Sequence, residues 1–400
     1  MEQDNLAYLD ALLAAAPEGA GFNDLVASAQ GADPATILER IQALGMTVDV
    51  EPPRAVLDEQ RRPLPYSRSL LPLPHPLDFE WRFSATCART LIERARSVAG
   101  PSGRVALLAT PSIAERLADS AARNNTAAYT LFEIQRSTCR ALEQHTTLSI
   151  EQRDVATLAA DQRVREQFTL VLADPPWYLP SLHAFVRSGS QMLHVGGTLQ
   201  LCIPGLATRP GIDREREQLV IEARRVGLAT EAVEQGVLEY DSPPFEQSAF
   251  QAASLPLVER TWRSGDIIRF RKLSPHADLV PTPSMQIRYE ASRWTEFQFG
   301  RSRIRVDTAR TAPVPALRPA VASVVLPTVS SRDPRRAAAN VWTTSNQVYL
   351  TPDPHKLAES LRDAMDSFDG AASLDADNEA ARIVLEDLRR LTQVGAVEKI

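Results

Sequence analysis

This 400-residue chain is short of cysteine, of lysine and of glycine where a ligand-binding turn would want it. Its three cysteines, Cys87, Cys139 and Cys202, are far apart, odd in number and match no metal-ligand spacing. That excludes a disulfide framework or a thiolate zinc site, and the expectation is reduced, buried thiols in a cytoplasmic protein. The six histidines show no paired spacing either, so no metal is expected. Lysine occurs only at Lys272, Lys356 and Lys399, and arginine supplies almost all of the 44 basic residues. With much alanine and 29 prolines, this reads as the bias of a GC-rich genome rather than as chemistry. No stretch approaches the ~18 uncharged apolar residues of a bilayer span, so no membrane association is expected. The start, MEQDNLAYLDALLAAAPEG, is acidic and amphipathic, without the basic first residues and unbroken apolar run of a secretory signal.

What is present is ordinary globular composition, 44% hydrophobic and 24% charged, in a length that predicts two or three domains. Residues 1–60 read as a winged-helix-like module. Leu6, Leu9, Leu12 and Leu13 share one helical face, Phe22 to Gln30 gives a second short helix, and Asp33-Pro34 caps a third carrying Ile37, Ile41 and Leu44. Gly45 ends it and MTVDV leads toward a strand. A winged helix often reads DNA, but this one holds eleven acids against Arg40 and Arg54, a net of −9 that would repel phosphates. A protein contact or a homodimer through this module is the expectation.

Residues 61–77 carry proline at close intervals and predict an extended linker. Residues 78–272 then alternate strand and helix patterns, which implies a doubly wound parallel α/β sheet of Rossmann-like type. After Ser84, a helix N-cap, the strand patterns are Arg104–Thr110, Ala128–Ile134, Thr147–Arg153, Phe168–Ala173 and Gly197–Ile203. Residues 228–240 and 266–272 read as an antiparallel pair at the sheet edge. Residues 273–400 form a mixed α+β region with scattered strand signals, SRIRVDT and VASVVLPTV. Its two amphipathic helices span His355–Phe368 and Asn378–Leu391, with a wing-like end, LRRLTQVGAVEKI.

In such sheets ligands bind beyond the carboxyl ends of the strands, near the point where strand order reverses. The fourth strand ends in Asp174-Pro175-Pro176-Trp177-Tyr178. Two prolines fix a rigid turn without donors, Asp174 can accept a hydrogen bond from an amine, and Trp177 can stack on a planar acceptor. Tyr178 and Tyr240 are candidate substrate contacts, Tyr240 closing the pocket from the far side in Tyr240-Asp241-Ser242-Pro243-Pro244-Phe245. Glu133 ends the second strand, where an acid holds ribose hydroxyls, and Asp154 follows the third, where an acid borders adenine. The first strand leads into Leu108-Ala109-Thr110-Pro111-Ser112 with no glycine, leaving Thr110 and Ser112 as the cofactor-side donors. Asp78, Glu80, Trp81 and Arg82 are candidates for a lid.

These residues carry a resemblance. DPPW after an apolar strand resembles the motif of class I S-adenosylmethionine-dependent methyltransferases that modify exocyclic amino groups. The run from PLDFEWRFSATCARTLIERA through RVALLATPSIAERLA, FEIQRSTCRAL, FTLVLADPPWYLPSLHAFVRSGSQML and GGTLQLC resembles the branched-chain polyamine synthase family. Those are bis-aminopropyltransferases on the same fold, preceded by a winged-helix module. The family's first-strand motif is Gly-Asp-Asp-Asp, where Ala109-Thr110-Pro111-Ser112 stand here, so the acids that would attract a polycation are missing. The resemblance implies S-adenosylmethionine, or its decarboxylated form, as cofactor. N-methylation of an amino or amide nitrogen in a small molecule or protein is the leading expectation; a nucleic-acid acceptor, which DPPW also allows, is disfavoured by the acidic N-terminal module. Aminopropyl transfer and a non-catalytic interaction scaffold are the alternatives.

Overall fold

In the computed structural model the described residues are 3–29, 31–48, 69–118, 127–256, 258–259, 261–275, 293–330, 333–366 and 379–393. Contacts divide the chain into two units. One comprises Met1–Val50, Arg82–Ser242 and Val258–Ile287, the other Glu51–Trp81, Pro243–Leu257 and Arg288–Ile400.

The first unit begins with three helices, α1 (Gln3–Ala14), α2 (Phe22–Ser28) and α3 (Pro34–Ala43). Leu9, Leu13, Ile37 and Ile41 are buried, as the periodicity predicts, as are Phe22 and Leu25 of α2, whereas Leu44, expected on the third apolar stripe, is exposed just past the end of α3. Asp33 caps α3 by accepting from the backbone N–H of Ala35 and Thr36, with Pro34 at the first helical position. Arg40 is bidentate to Asp10 at 2.8 and 2.7 Å, tying α3 to α1. No strand forms at residues 46–48, and the rest of the expected wing lies outside the described residues.

The alternating region forms an eight-stranded mixed sheet. Its strands are β1 (Arg82–Phe83), β2 (Arg104–Leu108), β3 (Ala128–Glu133), β4 (Ser149–Gln152), β5 (Phe168–Ala173), β6 (Leu193–Pro204), β7 (Leu228–Asp241) and β8 (Arg263–Lys272). The order is β1-β7-β8-β6-β5-β2-β3-β4, with β6, β5, β2, β3 and β4 running parallel. Helices α4 (Ala85–Ala99), α5 (Pro111–Ala118), α6 (Arg136–Glu143), α7 (Val155–Leu158), α8 (Leu179–Met192) and α9 (Ile212–Arg225) connect the strands. Val105 to Leu108 and Leu170 to Ala173 are fully buried, which is why their sequences are unbroken apolar runs rather than alternating ones. The antiparallel pair β7–β8 exists, but β8 is not at the edge. It inserts between β6 and β7, because Ile267, Ile268 and Phe270 need burial on both faces. One of the three lysines, Lys272, is wholly buried and donates to the carbonyls of Ser190 and Leu193, each at 2.7 Å, at the end of α8.

The second unit holds α10 (Pro244–Ala252) and a five-stranded antiparallel sheet. Its strands are β9 (Trp294–Phe299), β10 (Ser302–Asp307), β11 (Arg318–Pro319), β12 (Val341–Thr343) and β13 (Val348–Leu350), with α11 (Pro334–Ala338), α12 (Pro354–Asp366) and α13 (Glu379–Gln393). Ile304, Val306, Val341 and Tyr349 pack with Leu357, Leu361, Leu385 and Leu388 of α12 and α13. SRIRVDT is the strand expected of it. VASVVLPTV is not: it is irregular apart from one bridge, Val325 to Gln347, and Val324 sits at φ 64°.

The alternate face of β10 buries arginines. Arg303 donates to Asp78 at 2.9 Å and to the Leu73 carbonyl. Arg305 grips Asp78 at 2.5 and 3.0 Å and Glu296 at 2.8 Å. The described part of the proline-rich segment, residues 69–77, forms no helix or strand, as its prolines dictate. It is nonetheless not a free tether, since Leu71 and His75 are fully buried and the Leu73 N–H donates to the Arg301 carbonyl at 2.7 Å. Asp78, expected in a lid, is a buried ion-pair centre within this unit.

Candidate functional site

The strand order of the first unit reverses between β2 and β5, which lie side by side with Leu108 opposite Ala173. The backbone N–H of Asp174 donates to the Leu108 carbonyl at 3.1 Å, so the two strand ends are pinned at the crevice where ligands bind in this architecture. Pro175 and Pro176 then turn the chain, the Tyr178 N–H donates to the Pro176 carbonyl at 2.7 Å, and α8 starts at Leu179 with Pro180 in its first turn. The expected corner therefore forms as a strand-to-helix turn.

The Asp174 carboxyl accepts a hydrogen bond from the Tyr240 hydroxyl at 2.9 Å. Tyr240 is the penultimate residue of β7 and is 2% exposed. Its ring stacks on Phe83 at 4.9 Å and meets the Trp177 indole edge-on at 5.5 Å. Burial pushes the Asp174 carboxyl up to about 8, and the hydrogen bonds from Tyr240 and Cys202 offset this only in part. Near neutral pH the corner thus presents an uncharged carboxyl. Burial also pushes the Tyr240 phenol and the Cys202 thiol upward, so the whole cluster is neutral.

The first-strand turn lacks glycine but keeps its conformation. Ala109 takes φ 52°, the left-handed region that a methyl side chain disfavours by roughly 1–2 kcal/mol. Its N–H donates to the Phe132 carbonyl at 3.0 Å. Thr110 is 1% exposed and its hydroxyl has no partner among the described residues, while Ser112 is half-buried at the start of α5. Glu133 ends the neighbouring β3 in a buried position, one carboxylate oxygen accepting from the N–H of Gln135 at 2.8 Å. A nucleoside with ribose hydroxyls suits this pair, an orphaned hydroxyl beside a buried acid. Asp154 is elsewhere engaged: it caps α7 by accepting from the Ala156 N–H at 2.9 Å. Tyr178 lies under the guanidinium of Arg209 at 5.9 Å.

Two site residues are not visible in the sequence pattern. The guanidinium of Arg263 lies 5.6 Å from the Trp177 ring and 4.8 Å from the ring of Trp262, its neighbour in the chain. A Cβ on Gly265 would come within 2.8 Å of Trp177, so only glycine leaves room for the indole there. Both Arg263 and Gly265 belong to β8, whose first residues, Arg-Ser-Gly, carry no strand signal. The N-terminal helices brace this stretch. A Cβ on Gly31 (φ 83°) would meet the Ser264 carbonyl at 2.6 Å, and the side chain of Asn23 accepts from the N–H of Glu259 at 3.0 Å.

The family described as probable N6-adenine methyltransferase matches residues 80–208, about a third of the chain, including the whole 174–178 corner. No curated protein matches the chain. A mutein of the branched-chain polyamine synthase of Thermus thermophilus, in complex with N4-aminopropylspermidine and 5′-methylthioadenosine, is 14% identical. The similarity covers 69% of this chain and 88% of that one, with a TM-score of 0.51. The unmodified synthase is also 14% identical, over 68% and 88% of the two chains, with a TM-score of 0.49. A putative RNA methyltransferase from Pyrococcus horikoshii is 16% identical over 50% and 90%, with a TM-score of 0.35. The fold of residues 82–272 is that of the class I methyltransferases.

Proposed function

We propose that this chain is an S-adenosylmethionine-dependent transferase that methylates an amino or amide nitrogen of a small-molecule or protein acceptor. The observation that carries the reading is the partly buried Asp174 carboxyl at the strand-order reversal, held by the Tyr240 hydroxyl, with Trp177 against the Tyr240 ring and the Asp174 backbone pinned to the end of β2. Thr110 and Glu133 are the residues suited to hold the nucleoside part of the cofactor. When bound, the cofactor supplies an electrophilic methyl carbon on a sulfonium. The chain's own contribution is orientation. Asp174 accepts an N–H of the acceptor so that the nitrogen lone pair is directed outward, and in its ionised form it takes up the proton that the nitrogen gives away. The two prolines hold this geometry without competing donors, and the Trp177 face orders a planar acceptor.

Aminopropyl transfer to a polyamine has less support. A polycation needs fixed negative charge, and neither Ala109–Ser112 nor a neutral Asp174 supplies it. One feature favours a non-catalytic scaffold, namely the Ala109 methyl group at a turn that glycine usually opens for the cofactor. Calorimetry with S-adenosylhomocysteine separates the readings. Binding that weakens by about tenfold or more in Glu133→Ala supports the transferase. Folded protein giving no heat at millimolar ligand removes it in favour of the scaffold.

A further inference from the structure

Tyr240 stands out among the residues of the corner because its hydroxyl already has a partner. The ring is held by Phe83 at 4.9 Å and 30° on one side and by the Trp177 edge at 5.5 Å on another, with 2% of the residue exposed. It cannot swing outward without breaking both contacts, and its oxygen lies 2.9 Å from Asp174. Burial keeps the thiols of Cys202 in β6 and Cys87 in α4 protonated as well. None of these three groups carries positive charge, so burial raises the proton affinity of Asp174 and the Tyr240 hydrogen bond, not an ion pair, is what opposes it.

We propose that Tyr240 is a positioning residue, not a substrate contact: clamped between Phe83 and Trp177, it fixes both the orientation and the proton affinity of the Asp174 carboxyl that meets the acceptor. The catalytic consequence rests on the transferase reading; the hold on Asp174 does not. A phenol that donates to a carboxyl stabilises its ionised form more than its neutral form. Removing the hydroxyl therefore strengthens proton binding at Asp174, and any step that needs the carboxylate moves to higher pH.

The test is an infrared titration of the protonated-carboxyl band in the full chain, assigned by its loss in Asp174→Asn. In Tyr240→Phe, which keeps the ring, the ionisation midpoint rises by about half to one pH unit, roughly a three- to tenfold change in proton affinity. Phe83→Leu loosens the clamp and moves the midpoint the same way by less. If methyl transfer is observed, the alkaline rise of kcat shifts with the midpoint while the acceptor KM stays put. An unchanged midpoint in folded Tyr240→Phe overturns the proposal, as does a raised KM with no midpoint shift, which marks Tyr240 as a substrate contact. A shifted midpoint in a protein that gives no heat with S-adenosylhomocysteine upholds the role of Tyr240 and sinks the transferase reading alone.

Discussion

Asp78 is buried and Asp174 partly buried, and desolvation raises the proton affinity of each. Their surroundings then part. Asp78, in the second unit, is gripped by Arg303 and Arg305, while Asp174, in the first, has a neutral phenol. An acid matched by two guanidiniums is a fastener, holding the 69–81 segment to β10. An acid kept near neutral by burial, at a strand end where ligands bind, is a group whose proton can be exchanged in use.

The comparison breaks most visibly at Asp78. Asp78→Ala takes from the buried Arg303 and Arg305 the acid they share, leaving them Glu80 and Glu296, and should cost about 3–5 kcal/mol in urea unfolding. A loss under about 1 kcal/mol would mean that the pair is replaceable by water and that the two acids are alike.

Asp174→Asn should do the opposite. Above pH ~4 the unfolded chain releases this proton while the folded protein keeps it until about 8, so wild-type stability falls across that window. The amide variant escapes the loss and should be more stable than wild type by at most roughly 5 kcal/mol at pH 8, less where solvent reaches the carboxyl, with no advantage at pH 4. Equal stabilities at both pH values would show that Asp174 ionises normally.

Gly265→Ala tests whether the frame around Asp174 is rigid. A methyl group 2.8 Å from the Trp177 ring should displace it, lowering stability by about 1–2 kcal/mol and changing tryptophan fluorescence. Unaltered emission would show that the indole has room to spare. The smallest effect is expected at Ala109→Gly. Relief of the left-handed strain, about 1–2 kcal/mol, is partly cancelled by the added freedom of the unfolded glycine. A net gain of about 0.5–1 kcal/mol and tighter S-adenosylhomocysteine binding are expected. Weaker binding would identify the Ala109 methyl as a contact rather than an obstacle.

Much of the first unit is legible in the sequence. Unbroken apolar runs mark β2 and β5 and mostly apolar ones mark β3 and β6, and Ser84 and Asp33 act as the caps their positions suggest. The DPPW corner appears where a strand-end rule puts it. The second unit is less legible. SRIR alternates like a strand with one solvated face, yet Arg303 is fully buried, because its acids come from Asp78, Glu80 and Glu296 rather than from neighbours in sequence. VASVVLPTV has strand composition, but Pro319 precedes it, Pro327 interrupts it and only one bridge forms among the described residues. Arg263 and Gly265 escape notice since glycine and serine at a strand start give no periodic signal.

Local pattern by itself determined the succession of parallel strands and helices in the first unit, the rigid acid–diproline–indole turn and the absence of acids in the turn beside it, because each depends only on residues within a few positions. What the tertiary structure decided is the charge state of the buried acids. Tyr240 reaches Asp174 across 66 positions and Arg303 reaches Asp78 across 225, and desolvation depends on what folds over a carboxyl rather than on what flanks it in the chain.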